Sequence, residues 1–243
     1  MAITATNIFT GSSGVNGPYT TASFTPAVGK LYVMSVEGRI SSGSVQPVCS
    51  SMTSSSLTWV QVPSFTDMDA AGADRQSVYS FRTMGSGSSQ TVSITFSGQT
   101  LQRACWTLDE FDGVDTSGTN GSGAIVQTAK VDDGGSSATS ASVTLSAFAD
   151  ATNNVAYGIF GHQVQETQTV GSGFTALSNQ APLGVTSLMT EWKTGQDTTV
   201  DASWATGGRS GGIAIEIKAA STAANTLLAR RDPHRGLLMR ARR

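Results

Sequence analysis

The 243-residue chain is predicted to be all-β: an antiparallel, jelly-roll-like β-sandwich with an internal duplication, followed by a C-terminal arm. Three observations predict it. Short runs alternate apolar and polar residues with period two, and clusters of Gly, Ser, Asn and Asp separate the runs. Helical periodicity is almost absent. About a dozen short strands at this spacing read as a sandwich rather than as βαβ units.

The runs fall into two sets that answer each other in order. The first set comprises residues 23–25, 31–39, 57–60, 78–83, 91–96 and 106–111, and the second residues 144–146, 154–162, 174–177, 189–194, 199–204 and 212–217. A period of about 110 to 120 residues is too long for a solenoid unit and indicates a duplicated half-domain or domain. The organisation read from this is one sandwich over 1–218, built from pseudo-repeats at about 19–113 and 142–218, and an arm over 219–243. The short connection over 112–141 favours one compact body over two separate ones.

Individual runs have strand chemistry. Val92, Ile94 and Phe96 alternate with Thr91, Ser93 and Thr95, and Val200, Ala202 and Trp204 alternate with Thr199, Asp201 and Ser203. Each such run buries one face and wets the other. Leu31 to Val36 and much of Val155 to Phe160 are apolar on both faces, which predicts central, doubly covered strands.

Charged residues make up only 13% of the chain, so solubility rests on Ser and Thr hydroxyls. The first residues have neither a basic segment nor a long apolar run, and no stretch approaches the length of a membrane span. The expectation is synthesis in a cytoplasm without membrane association. In that setting Cys49 and Cys105 are read as reduced, packed thiols.

The charge is unevenly placed. Residues 219–243 hold six arginines against Asp232, a net of +5, which leaves −7 on residues 1–218 out of a formal −2. The arginines Arg230, Arg231, Arg235, Arg240, Arg242 and Arg243 are interleaved with Leu227, Leu228, Leu237 and Leu238. Three readings compete: a solvated terminus, a docking arm, and a phosphate-binding segment. In the docking reading, leucines fill a partner's pockets and arginines pair with carboxylates. Nucleic acid is disfavoured, because the acidic body repels a duplex and leucines have no use on a phosphate backbone.

No catalytic constellation is legible, and no cofactor is expected. The chain has two histidines, His162 and His234, and neither a Ser-His-Asp set nor a CxxC. His162, at a strand end, is read as a surface or loop-packing residue. The carboxylates Asp109, Asp112 and Asp115 are the candidate Ca²⁺ ligands, although their spacing fits no calcium loop and strand alternation splits Asp109 from Asp112. Glu110 has a counterpart in Glu216, which points to a structural, outward-facing or cross-strand position. Trp192 and Trp204 align with Phe81 and Phe96 and are read as shared core. Trp59 and Trp106 align with Ala176 and Gly212, which leaves them as the candidate aromatics for stacking on a sugar, against the alternative of local core filling.

Three phrases carry a resemblance: Thr116-Ser117-Gly118-Thr119-Asn120-Gly121-Ser122-Gly123, Gly171-Ser172-Gly173-Phe174-Thr175, and Asp197-Thr198-Thr199-Val200-Asp201-Ala202-Ser203-Trp204. Over residues 18–218 the texture resembles Ser/Thr/Gly-rich β-sandwich proteins encoded by tailed bacteriophages and prophages. The resemblance implies a virion component, such as a capsid decoration protein, head fibre or tail appendage, whose partners are other virion proteins and copies of itself. It implies no catalytic residue. The alternative function is a carbohydrate- or receptor-binding appendage using Trp59 or Trp106.

Overall fold

The computed structural model describes residues 2–40, 43, 45–62, 66–68, 75–97, 100–132, 136–182, 184 and 186–221. They form an all-β protein of four antiparallel sheets, with helix confined, among these residues, to one 3-10 turn at Ser122–Ala124. The arm residues from Leu227 to Arg243 lie outside the described residues.

The first nine strands are β1 (Thr4–Ser13), β2 (Tyr19–Thr20), β3 (Leu31–Ile40), β4 (Val48–Thr53), β5 (Val60–Gln61), β6 (Thr66–Met68), β7 (Arg75–Met84), β8 (Ser93–Ser97) and β9 (Arg103–Asp112). The other eight are β10 (Ile125–Asp132), β11 (Ala138–Thr144), β12 (Val155–His162), β13 (Thr169–Val170), β14 (Thr175–Gln180), β15 (Ser187–Thr194), β16 (Thr199–Gly208) and β17 (Ser210–Ile217). The first set makes a large sheet ordered β1-β9-β3-β7-β5, with β6 also on β7, and a small sheet ordered β2-β8-β4. The second makes β10-β17-β12-β15-β14 and β11-β16-β13, the same order strand for strand.

Burial stacks the sheets in four layers. Leu31, Val33 and Phe111 from one large sheet meet Val155, Tyr157, Ile213, Ile215 and Ile217 from the other in a central core. The opposite face of the first large sheet packs Met34, Val36, Phe81 and Leu108 against Tyr19, Met52 and Ile94 of its small sheet. In the second unit Phe160, Met189 and Ala214 pack against Val143, Val200 and Trp204. Because each large sheet is covered on both faces, β3 and β12 are buried at every position. Ser35 faces the Tyr157 hydroxyl and Arg39 Nη1 donates to the Gln163 carbonyl, so β3 and β12 point the same way. Equivalent loops of the two units therefore gather at the same end of the stack.

The structure departs from the sequence reading at the unit boundaries. The stretch read as a connection, 112–141, contains β10 and the start of β11, and β1 precedes the expected first boundary. Both β1 and β10 are outer strands of their large sheets, and both carry a bulge, at Asn7/Phe9 and Ile125/Gln127. A bulge inserts one residue and breaks the alternation by which strands are recognised. In β1 it also re-aims the chain: Ala5 faces the central core, whereas Phe9 packs on the outer one. At the other terminus, Ala219 is buried and bridges Val114, and the Ala220 amide donates to the Gly113 carbonyl, so residues 219 and 220 belong to the body rather than to the arm.

Candidate functional site

Residues 2–3 and 219–221 meet at one end of the stack, where the starts of β3 and β12 and the ends of β9 and β17 lie beside Glu110, Asp112, Asp115, Asp150 and Glu216. Here β9 finishes in Asp109-Glu110-Phe111-Asp112, followed by Gly113 at φ 75°, where an added Cβ would lie 2.6 Å from the Ala2 carbonyl oxygen. That left-handed turn needs glycine. It aligns the N-terminal residues beside the strand pair Val114/Ala219.

The three candidate calcium ligands do not meet. Asp109 points into the central core, where it accepts hydrogen bonds from the Tyr157 hydroxyl (2.7 Å) and Asn7 Nδ2 (2.8 Å). Asp112 is half-exposed, 3.5 Å from the Lys30 ammonium. Asp115 pairs with Lys218 at 2.7 Å and accepts from the Ser117 amide. Lys218 and that amide hold the Asp115 carboxyl low, at about 2. Among the described residues no group of three or more His, Cys, Asp or Glu is placed to hold a metal ion.

Glu110 and Glu216 occupy equivalent register positions, opposite Tyr32 and Ala156, and both turn inward rather than outward. Glu110 accepts from Lys30 Nζ (2.6 Å) and from the Tyr32 hydroxyl. Glu216 is fully buried and accepts from Asn154 Nδ2 (2.6 Å), Gln127 Nε2 (2.7 Å) and the Ala149 amide (2.9 Å). Each carboxylate ties the loop entering the middle strand to its sheet. Beside Asn154, the residues Ala149, Asp150, Asn153 and Lys218 to Ser221 line a cleft of about 300 Å³.

The aromatic candidates resolve differently from the expectation. Trp106 is buried and packs on Tyr19 with ring centroids 5.5 Å apart. It stands opposite Val36, while its counterpart Gly212 stands opposite Phe160. A Cβ on Gly212 would lie 2.7 Å from the Phe160 ring, so the same volume is filled from the neighbouring strand in the second unit. Trp106 is therefore core and is closed to a ligand. Trp59 is half-buried against the outer core of the first unit, with its indole N–H on Ser54 Oγ at 3.1 Å. Trp204 is core, as read, stacked at 4.5 Å on His162. Phe96 lies against Gly38, the register counterpart of His162, so Trp204 and Phe96 fill matching places. Trp192 does not match Phe81: register pairs it with Arg82, and it faces the central core half-buried. A slip of one residue in that alignment exchanges the two faces of the strand.

His162 is buried rather than at the surface, and desolvation lowers its pKa to about 4. Cys49 and Cys105 are free thiols in different cores, on opposite faces of the first large sheet. Sequence reasoning missed the central polar group of Asn7, Ser35, Asp109 and Tyr157. Its signal was the alignment itself, because Asp109 and Tyr157 stand where the other unit has Ile215 and Val33. The Asp109–Tyr157 bond thus has an apolar symmetry mate, and it distinguishes the two units at their interface.

Burial raises Asp109 to about 6 and Glu191 to about 8. Both acids are protonated more readily folded than unfolded, so their contribution is full below pH ~4 and lost as pH rises through the folded values. His162 has the opposite sign and gains between pH 4 and 6.5, which offsets Asp109 there. Above that range Glu191 acts together with Glu37, whose carboxyl full burial also holds well above its ordinary value. Stability should fall by a few kcal/mol between pH 6.5 and 9. Thermal melts across that range check this, and Glu191→Gln should flatten the slope.

Compared with protein-family models, curated proteins and solved structures, the chain matches none.

Proposed function

We propose that the chain is a structural, non-catalytic virion protein of a phage-type particle. It is displayed on a capsid or tail surface and held by the basic segment beyond Ser221, with other virion proteins and copies of itself as partners. One observation carries this reading: the fold is polar. Residues 2–3 and 219–221 lie at the same end of the four-layer stack, and beyond Ser221 the sequence changes from an acidic body to interleaved arginines and leucines. Anchoring at one end directs the loops of both units away from the attachment point. Leucines in partner pockets supply binding energy, and arginine–carboxylate pairs supply orientation. The resemblance of the loop phrases to phage β-sandwich proteins supports the same reading. If the strands of each unit are numbered one to eight, with β6 left out, the orders 1-8-3-6-5 and 2-7-4 interleave early and late strands, which supports the jelly-roll assignment.

Deletion of residues 222–243 tests the proposal. The truncation begins after Ser221 because Ala219 and Ala220 are bonded to the body. The shortened chain should melt like the full one yet stay in the supernatant when particles are pelleted. Equal recovery of both chains with particles would overturn the proposal.

A further inference from the structure

We infer that two copies of this chain pair edge to edge through β1, antiparallel about a twofold axis, joining their large sheets into one. Among the described residues β1 is a ten-residue outer strand with no strand beyond it in its sheet, and Thr4–Ser13 contains no charged residue and no proline. Edge strands offer unpaired N–H and C=O groups to any other strand, and proteins that avoid such pairing place charges or prolines there.

The duplication supplies an internal control. β10 holds the same place in the second unit but carries Lys130 and Asp132. In the layer beneath, β1 packs on β14, whose six residues, Thr175–Gln180, are likewise uncharged. One side of the stack is therefore two uncharged edges, whereas on the other β10 carries a lysine and an aspartate. On the uncharged side Ala5, Leu177 and Trp192 form the half-buried lip of the central core, and Ile8 is exposed. Val126 is similarly exposed on β10, so the exposed aliphatic alone does not set the sides apart.

The occupant follows from symmetry and charge. The body of each copy carries −7 and repels another copy except where the approach is neutral. An antiparallel edge is complementary to itself, so an isologous pair needs no second sequence. The bulge at Asn7/Phe9 leaves Phe9–Ser13 as the regular stretch. Centring the twofold on Gly11 sets Thr10 of each copy opposite Ser12 of the other, and both side chains are exposed.

Sedimentation equilibrium of the full chain over about 1–100 µM tests this, with dimer expected. Thr10→Lys with Ser12→Lys places like charges opposite one another and should weaken the dimer on the order of tenfold or more. Thr10→Lys with Ser12→Glu places each new lysine opposite the other copy's new glutamate and should restore it. Val126→Lys on β10 should have no effect. A monomeric wild-type chain, or a double-lysine chain that dimerises like wild type, would overturn the inference; the former would leave the strand to a different protein. Should the double-lysine chain fail to fold, amide exchange of the wild type on dilution decides. For the β1 amides that point away from β9, protection that disappears on dilution supports the pairing, and exchange of those same amides at a rate independent of concentration overturns it. Neither result depends on attachment through residues 222–243.

Discussion

Replacing Trp106 by alanine should cost about 3–5 kcal/mol of unfolding free energy, measured by chemical denaturation. The indole fills the middle of an outer core between Tyr19 and Val36, and it sits so close to β1 that a Cβ on Gly11 would lie 2.3 Å from the ring. Nothing nearby can collapse into the space, because the residue that fills it in the second unit, Phe160, has as its counterpart here the smaller Val36. Trp59→Ala should cost only about 1 kcal/mol, since that ring is half-exposed and loses one hydrogen bond to Ser54. If Trp106→Ala left stability within about 1 kcal/mol of wild type, the core assignment would fail and the sugar-stacking role would return.

The second large effect is at Glu216. Removing its side chain with Glu216→Ala takes the shared acceptor from three donors: the buried Asn154 amide, the partly solvated Gln127 amide and the backbone N–H of exposed Ala149. The orphaned Asn154 donor costs about 1–3 kcal/mol and the two partly solvated donors less, so a total of about 2–4 kcal/mol is expected after partial relaxation. Glu110→Ala should cost about 1–2 kcal/mol, because Lys30 can turn to Asp112 and the site is partly solvated. Denaturation of the two variants side by side measures the difference. Equal losses would mean that the repeated carboxylates serve the same role in both units, contrary to their different partners.

The comparison of the two units also explains what could be read from sequence. Strands with regular alternation, such as β16, and those apolar on both faces, such as β3 and β12, were legible because burial writes itself into hydrophobic pattern. β1, β4, β10 and β13 were not: two are bulged edges, one bears a bulge between Cys49 and Ser51, and the last is two residues long. The repeat correctly paired Glu110 with Glu216 and Trp204 with Phe96. It misled at Trp106, where a counterpart glycine suggested a residue free for the surface. Volume was conserved across two neighbouring strands rather than at one position, and a linear alignment cannot register that exchange. Asp109, read among the calcium candidates, is held by Tyr157 from the other unit, a contact between residues 48 apart that no local pattern encodes.

We propose that this doubled β-stack is a particle component fixed at one end and displayed at the other. The most direct measurement is an averaged electron-microscopic image of particles from hosts carrying the intact gene and from hosts in which it is deleted. The account predicts density repeated at symmetry-related positions on the first particles, elongated away from the shell or tail and missing from the second. Identical particles in the two preparations would contradict it.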